Sequence, residues 1–422
     1  MALLKLAQVG CGGMGLRHAY GLIELQNNDF DTFELTAICD IQKSAAEKVA
    51  SEIEAGCGKK PTIYADFSNL LEEENPDAVD IVTDTRFHHI YAIQALENGA
   101  NVTVEKPMAL TVRACKKMIN AANEASKVLS VAENYRRDPI NRLARAILNE
   151  QSLGAPRLAV DIALAGSRTF GHKGSWRHQK NRGGNLVLEQ GVHNADLLLY
   201  FMGNPETIYA QTRLWEKIRY AAKTPSTTDE FYHHRVNEDI DNADSIECTS
   251  EDMAVAMLQF TSGALGLFSM STSTPGEKTK TGLIYCEDGS IKPSGSRTGN
   301  PIQLTKLNGE TFSDNKLLQF APEFALDELT STFFNGRNTL TSYSMDFPTI
   351  DRKLIAIELQ DFGDAILSNK DPEVTGEIGL NAAALSYAIL ESGFIGKPVS
   401  FMDVVNDRVN GYQESINKSI GL

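Results

Sequence analysis

Short apolar runs alternate with longer amphipathic runs through the first 135 residues of the chain. The short runs are rich in β-branched residues and predict strands, whereas the longer runs carry apolar residues at helical spacing. The predicted strands are Leu3–Val9, Phe33–Cys39, Ala78–Val82, Asn101–Val104 and Val128–Ala132, and the predicted helices are Met14–Gln26, Lys43–Ala55, Phe87–Asn98 and Thr111–Ala125. This alternation predicts a doubly wound parallel sheet, which binds ligands at the carboxyl ends of its strands.

The later part of the chain has a different pattern. Leu186–Met202 has the length and apolar spacing of a helix, and Met253–Phe260 and Ala264–Met270 predict strands that flank a hairpin-like turn. The chain has 422 residues. At roughly 100–200 residues per domain, that length predicts two or three domains, each with its own core.

A glycine-rich turn follows the first predicted strand and has the spacing G-x-G-x-x-G from Gly10 to Gly15. Gly10 permits the tight turn, Gly12 lets a pyrophosphate approach the backbone, and Gly15 lets the next helix pack on the sheet. Because the turn follows a strand and opens a helix, it predicts a dinucleotide site.

Asp40 ends the second predicted strand, 25 residues after Gly15. A carboxylate there accepts hydrogen bonds from both ribose hydroxyls and repels a 2′-phosphate, which predicts NAD rather than NADP. The alternative is that Asp40 is an ordinary helix N-cap. Lys43 lies close enough in sequence to be a candidate partner for a phosphate.

Composition excludes several classes of protein. Hydrophobic residues make up 42% and charged residues 23% of the chain, as in soluble globular proteins. The formal net charge of −15 argues against sequence-independent binding to nucleic acid or to an anionic membrane. Neither an uninterrupted apolar run of about 18–20 residues nor a secretory signal is evident, so we expect a small-molecule partner.

The six cysteines form no CxxC pair and have no histidine at zinc-ligand spacing. We therefore expect free thiols and a reducing, cytoplasmic setting.

Five further motifs, in chain order, resemble those of the glucose–fructose oxidoreductase, inositol dehydrogenase and MocA (Gfo/Idh/MocA) family. The family signature Glu-Lys-Pro appears at Glu105–Pro107. The other four motifs are Thr83–His88 in place of T-P-N-x-x-H, Asn134–Pro139, which is one position shorter than N-x-R-x-x-x-P, Gly183–Asp196 for G-G-G-x-x-x-D-x-G-x-H-x-x-D, and the carboxyl-terminal stretch Leu354–Phe401. The chain departs from the pattern at Asp84, Thr85 and Glu189, where relatives commonly have Pro, Asn and Asp.

The resemblance implies an α/β fold with two domains. A Rossmann domain would span residues 1–135, and residues 136–422 would form an α/β domain on a large, open, mostly antiparallel sheet. One sheet face would carry a homodimer or homotetramer interface, and the carboxyl-terminal helical segment is expected to pack back on the first domain.

The resemblance also implies the cofactor contacts, which include the glycine-rich turn and loops at the ends of later strands. These residues are Gly10, Gly12, Gly13, Met14, Gly15, Asp40, Thr83, Thr85, His88, Glu105, Lys106, Asn134, Trp176 and Arg177. The same resemblance allows a cis bond between Lys106 and Pro107.

Hydride transfer from an alcohol carbon requires a base for the hydroxyl proton. Lys106, at a strand end, is a candidate because burial and neighbouring charges can lower a lysine pKa; the alternative is a structural pair with Glu105. The resemblance favours catalysis by Lys106.

Glu189 and His193 are four residues apart on the predicted helix and therefore share a face. A lone helical histidine is more often structural, but the resemblance favours proton transfer by His193. Asp196 is a candidate to orient His193, or else a solvated or capping acid. Tyr135 and Glu189 complete the predicted contacts with substrate, and the longer Glu189 side chain predicts an altered hydroxyl pattern.

The segment from Arg168 to Arg182 contains five Lys or Arg and no acid. It is either a solvated loop or a clamp for an anionic group on the substrate, with Lys173 and Arg177 as the contacts. We therefore predict a substrate that is an acidic or anion-bearing sugar. In contrast, residues 229–252 contain nine acids and one Arg, a local charge of −8 with a predicted surface or interface role.

The leading hypothesis is an NAD-dependent dehydrogenase that oxidises a ring carbon of a sugar, sugar acid or cyclitol. The alternative is an NAD-dependent glycosidase or lyase that uses transient oxidation, elimination and hydride return. A third class is a catalytically silent NAD-binding subunit, against which Lys106 and His193 both argue. We expect no metal, because adjacent pairs such as His88-His89 do not converge on one ion.

Overall fold

The computed structural model describes residues 3–171, 174–223, 243–293 and 295–422. Six parallel strands form its first sheet in the order β3-β2-β1-β4-β5-β6. These strands are β1 (Leu4–Val9), β2 (Phe33–Cys39), β3 (Thr62–Tyr64), β4 (Ala78–Ile81), β5 (Asn101–Glu105) and β6 (Leu129–Ala132). The order confirms the predicted doubly wound sheet, and its direction of winding reverses between β1 and β4.

Five helices alternate with these strands, namely α1 (Gly13–Gln26), α2 (Lys43–Cys57), α3 (Phe67–Glu74), α4 (His88–Glu97) and α5 (Val112–Ala125). Helix α5 illustrates how the sequence determines them. Thr111 caps it by accepting a hydrogen bond from Ala114 N, and its buried residues recur at helical spacing.

Nine strands form the second sheet, in the order β17-β16-β15-β14-β7-β13-β12-β9-β18, while β8, β10 and β11 form a separate small sheet. The strands are β7 (Pro156–Leu164), β8 (Thr169–Phe170), β9 (Pro205–Arg213), β10 (Ile218–Ala221), β11 (Ser245–Glu247), β12 (Met253–Phe260), β13 (Leu265–Ser271), β14 (Thr279–Cys286), β15 (Gly289–Lys292), β16 (Gln303–Lys306), β17 (Thr311–Phe312) and β18 (Val399–Ser400). The large sheet is antiparallel except between β7 and β13. It confirms the predicted mostly antiparallel sheet, and β12 and β13 pair as the predicted hairpin.

The later helices are α6 (Pro139–Asn149), α7 (Gly191–Met202), α8 (Glu328–Phe333), α9 (Phe347–Ser368), α10 (Gly376–Ile395), α11 (Phe401–Val405) and α12 (Glu414–Ser419). The prediction of one regular helix from Leu186 to Met202 is wrong at its start. Leu186–Gln190 forms a π-helical turn before α7, and the Asn185 side chain caps this turn by accepting hydrogen bonds from Val187 N and Leu188 N.

Helix α9 packs directly on α1 of the first sheet. A Cβ atom at Gly21 would lie 2.5 Å from Ile355, and Lys353 Nζ donates to Glu24 at 2.9 Å. The carboxyl-terminal region therefore contacts the amino-terminal sheet, although the division of the chain at residue 135 stays a prediction.

Helix α10 is long and apolar enough to span a membrane by length and composition alone. However, 72% of its most apolar window is buried inside the protein. This burial is the environment of a core helix.

Candidate active site

The glycine-rich turn has the shape that a dinucleotide requires. Gly10 has a φ of +99°, and a Cβ atom there would lie 2.6 Å from the main-chain oxygen of Val82. A Cβ atom at Gly15 would lie 2.1 Å from the oxygen of Gly10, whereas at Gly12 it would meet no described atom within 4 Å. The turn is therefore closed toward the protein and open at Gly12, where α1 presents its N-terminal N–H groups.

Asp40 lies at the carboxyl end of β2, beside this turn. Its carboxylate accepts a hydrogen bond from Cys11 N at 2.7 Å and another from Gln42 N at 2.7 Å. Gln42, not Asp40, is the N-cap of α2, so the helix-cap interpretation is wrong. The Lys43 side chain is 83% exposed and faces Glu47, which gives it a carboxylate partner on its own helix.

A large cavity lies at the carboxyl edge of the first sheet, and Thr83, Thr85 and His88 line it from the loop after β4. The buried His88 ring lies 3.2 Å from Thr83 O and 3.1 Å from Pro107 O, and it thereby joins the loops after β4 and β5. Burial lowers the pKa of His88. Asn134 also lines the cavity, and its buried Oδ1 has no hydrogen-bond partner among the described residues.

Lys106 directly follows β5, and its peptide bond to Pro107 is cis. Its Nζ donates a hydrogen bond to Glu189 O at 3.1 Å. The alternative of a structural pair with Glu105 is not observed among the described residues, and the Glu105 carboxylate lies 3.6 Å from His18 Nε2. Lys106 is thus held across the cavity, against the turn that precedes α7.

His193 lies at the start of α7 and is oriented by Glu133. Its Nδ1 lies 2.7 and 2.8 Å from the two oxygens of the Glu133 carboxylate. Burial lowers the pKa of His193, Glu133 opposes that shift, and the charges of Lys106 and Arg297 reinforce it. Burial alone would raise the pKa of Glu133, but its contact with His193 keeps it below the ordinary value.

Asp196 does not orient His193, contrary to one sequence interpretation. Its carboxylate accepts a hydrogen bond from Arg136 Nε at 2.9 Å in a buried ion pair. Burial raises the pKa of Asp196 to about 6 even beside this guanidinium. The residue is therefore structural, and it is neither solvated nor a cap.

Glu189 forms an ion pair with Arg177 at 3.0 Å. Burial alone would raise the pKa of Glu189, but Arg177 first, then Lys106 and His193, lower it and favour the carboxylate. Trp176 is buried in the cavity wall beside Arg177. Arg177, the predicted contact for an anionic group on the substrate, thus has a carboxylate partner in Glu189, and its role with substrate stays a prediction. Lys173 lies outside the described residues.

Tyr135 stacks on the imidazole of His193, with ring centroids 3.9 Å apart and an angle of 5° between the planes. Arg297 lies over Tyr135 at 4.8 Å and donates to its hydroxyl at 3.1 Å. The sequence interpretation included Tyr135, but missed Arg297 and the role of Glu133. No local motif indicated Arg297, which reaches the site from the loop between β15 and β16.

One cavity of about 1430 Å³ lies between the carboxyl edge of the first sheet and the inner face of the second, and its lining includes Met14, Thr83, Thr85, His88, Glu105, Lys106, Asn134, Tyr135, Trp176, Arg177, Glu189, His193 and Arg297. The four glycines of the turn and Asp40 lie outside this lining. Two family models match successive parts of the chain. Residues 4–133 match an oxidoreductase family with an NAD-binding Rossmann fold, and residues 141–292 match the Gfo/Idh/MocA C-terminal domain. The chain belongs to the Gfo/Idh/MocA family.

The curated relatives of this Gfo/Idh/MocA protein include proteins named as glycosyl hydrolases and a protein named as a dehydrogenase. Glycosyl hydrolase family 109 protein 1 of Shewanella sp. (strain ANA-3) is 24% identical over 304 residues, which cover 68% of this chain and 62% of that protein. D-glucoside 3-dehydrogenase of Escherichia coli is 26% identical over 215 residues, which cover 51% of this chain and 58% of that protein. The chain therefore spans only about 60% of the length of these relatives.

Solved structures of low identity share the fold. Levoglucosan dehydrogenase in complex with NADH and L-sorbose has a TM-score of 0.75 at 20% identity, with 95% of this chain and 99% of that one covered. An Agrobacterium radiobacter oxidoreductase in complex with NAD+, L-tartaric acid and magnesium has a TM-score of 0.70 at 20% identity, with 95% and 99% covered.

The Rossmann domain of this Gfo/Idh/MocA protein binds NAD, and the residues fit that cofactor. The open position at Gly12 and the unpartnered Oδ1 of Asn134 are available to a bound dinucleotide. Within the described part of the chain, no group of three or more His, Cys, Asp or Glu is placed to hold a metal.

Proposed function

We propose that this protein is an NAD-dependent oxidoreductase that transfers a hydride between nicotinamide and a ring carbon of a sugar, sugar acid or cyclitol. The observation that carries the proposal is the convergence of Lys106 with the His193–Glu133 pair, at the carboxyl edge of an NAD-binding sheet. The dehydrogenases among its relatives support a carbohydrate substrate.

The reaction needs both a hydride acceptor and a proton acceptor. When bound, NAD supplies the nicotinamide that takes the hydride. As the ring C–H bond breaks with its electron pair, the hydroxyl proton passes to the chain and a C=O bond forms. Glu133 holds His193 through Nδ1, which leaves Nε2 for the substrate, and Lys106 is the second proton acceptor or donor.

The Glu189–Arg177 pair supports this chemistry by positioning the ring. A carboxylate accepts hydrogen bonds from hydroxyls and a guanidinium donates to ring oxygens. Because the two groups are already paired, each is oriented before substrate arrives. The preference for an anionic substrate, predicted from the basic loop, remains a proposal. It now requires that Arg177 leave Glu189 to bind the anionic group of the substrate.

Substitution of Lys106 tests the function directly. We expect Lys106→Met to abolish the formation of reduced nicotinamide on every accepted sugar, while calorimetric NAD binding persists. Lys117→Met is the matched control, because Lys117 is an exposed residue of α5. Undiminished turnover in Lys106→Met would refute the proposed role.

An NAD-dependent glycosidase or lyase is the alternative, and the family 109 relatives favour it. The same residues would remove a hydroxyl proton, and the transient ketone would acidify the neighbouring C–H before elimination and hydride return. The two functions differ in stoichiometry. Net accumulation of NADH supports a dehydrogenase, whereas glycoside cleavage without net NADH supports the alternative.

We also propose that the protein forms a homo-oligomer through the outer face of the large sheet. Tyr209, Met257 and Leu267 lie side by side there on three paired strands, and Met257 is 60% exposed. An apolar sheet face of this kind typically marks an interface. Light scattering of Met257→Lys should then give a smaller particle than the parent protein, and an unchanged mass would contradict the proposal.

The cytoplasmic setting likewise remains a proposal. All six cysteines are free thiols, five of them buried. Burial raises the pKa of Cys11, Cys39 and Cys115, which keeps these thiols protonated and unreactive.

A further inference from the structure

The cavity extends well beyond Lys106 and His193, onto a floor formed by the large sheet. Its volume of about 1430 Å³ covers both the residues predicted to contact NAD, such as Thr83 and Asn134, and this floor. Strands β7, β13 and β14 contribute side chains to the floor, among them Asp161, Met270 and Lys280. The proposed reaction at the first sheet's edge uses none of them.

Asp161 is the polar centre of this floor. It lies mid-way along β7 on the face toward α7, where Asn194 Nδ2 donates to its Oδ2 at 2.7 Å. Asn194 directly follows His193, so the carboxyl is anchored next to the proposed reaction centre. Burial raises the pKa of Asp161, and Asn194 and Lys280 partly oppose that shift.

This carboxyl is distinct from the proton-transfer group. The two groups have different partners, since Glu133 lies 2.7 Å from His193 Nδ1, whereas Asn194 Nδ2 donates to Asp161 at 2.7 Å. Keeping a carboxyl in a buried position costs free energy unless it has polar partners. A ligand with hydroxyl groups would supply further partners.

Gly282 opens the floor beside Asp161. The two residues are directly opposite on β14 and β7, so a side chain at either position points to the same face. A Cβ atom at Gly282 would meet no described atom within 4 Å. A glycine inside a strand weakens it, and such a position often marks close approach by a ligand.

Lys280 completes the group two residues before Gly282, hence on the same face of β14. It pairs across the strands with Ala163, lines the cavity and is exposed. The floor thus offers a partly buried acceptor, an open strand surface, and an exposed cation.

We propose that Asp161, Gly282 and Lys280 form a second carbohydrate subsite, which binds a hydroxyl-bearing unit attached to the ring that reacts. The preferred substrate is then a glycoside or disaccharide rather than a free monosaccharide. Asp161 accepts hydrogen bonds from the second unit, the bare strand at Gly282 lets that unit lie flat, and Lys280 contacts its outer oxygens. The assignment of the two units rests on the proposed function at Lys106 and His193.

Substitution of Gly282 by Val tests the subsite, because it places a side chain in the cavity at a position where a Cβ atom meets no described atom within 4 Å. Its backbone is compatible with a side chain, and a β-branched residue suits a strand. Thr279→Val is the matched control, since it places a valine on the same strand at a position outside the cavity lining. Asp161→Asn tests the carboxyl separately.

Two quantities are measured for glucose, galactose and N-acetylgalactosamine and for disaccharides that contain each of them. One is kcat/KM, and the other is the calorimetric Kd with the NADH-loaded protein. We expect the parent to prefer two-unit sugars, and Gly282→Val and Asp161→Asn to reduce that preference about 10- to 100-fold in both quantities. Thr279→Val should keep the preference of the parent.

The subsite is refuted if the parent shows no preference, or if Gly282→Val weakens one-unit and two-unit sugars equally. Failure of the proposed function would look different. In that case no sugar would yield reduced nicotinamide, yet the calorimetric preference would still be present in the parent and lost in Gly282→Val. That result would retain the subsite and reassign the reaction.

Discussion

The pairing of His193 with Glu133 makes a quantitative prediction for Glu133→Gln. The carboxylate lies 2.7 Å from Nδ1, in a buried setting where it stabilises the protonated imidazole. A hydrogen bond to a charged group contributes about 1.5–3 kcal/mol. At 1.36 kcal/mol for each factor of ten, losing it should lower kcat/KM by about 10- to 150-fold.

The pH dependence of kcat/KM also has a predicted direction of change in Glu133→Gln. Glu133 raises the pKa of His193 against the effect of burial, so its removal lowers that pKa further. A base must be neutral, and the acid limb of kcat/KM should therefore move to lower pH in Glu133→Gln, while the plateau falls. The assay is the rate of NADH formation across the pH range with the best sugar of a panel.

Asp196→Asn is the control for a general effect of removing a buried carboxylate. It disrupts the ion pair with Arg136 and should lower the thermal midpoint, but it should leave the acid limb in place. If Glu133→Gln keeps both the plateau and the limb of the parent, His193 is not tuned by this carboxylate and the reasoning fails.

Three further predictions follow from particular contacts. Arg297→Gln removes a cation that lowers the pKa of His193, so the acid limb should move to higher pH, whereas Arg297→Lys should keep it; a limb that is the same in all three proteins would contradict this. Asp40→Asn should lower the NAD-to-NADP ratio of kcat/KM about tenfold or more, and an unchanged ratio would mean that Asp40 does not select the cofactor. Gly10→Ala should lower the thermal midpoint, because a φ of +99° and a 2.6 Å approach oppose a Cβ atom, while Gly12→Ala should fold normally in calorimetry yet bind NAD more weakly.

Local patterns were sufficient to predict most of the first sheet. Alternating apolar runs placed five of its six strands, and Thr111 predicted the start of α5 within one residue. Strand β3 was missed because three partly exposed residues give no periodic signal, and the short helix α3 was missed with it.

The site was only partly predictable, because its decisive contacts are long-range. Lys106, Glu189 and His193 came from motifs, and the structure brings them to one cavity. The contact of Glu133 with His193 joins residues 60 apart, and no local spacing distinguishes Glu133 from Asp196 as its partner. The π-helical turn before α7 was equally missed, since its residues have the apolar spacing of a regular helix.

The most direct test of the account uses a sugar deuterated at its ring carbons, incubated with the protein and NAD. Mass spectrometry then follows the deuterium in the cofactor and the carbonyl group in the sugar. The account predicts deuterated NADH and a ketone product in equal amounts, with both lost in Lys106→Met. Glycoside cleavage with no net deuterated NADH would assign the alternative reaction, and neither product from any sugar would contradict the proposed oxidoreductase.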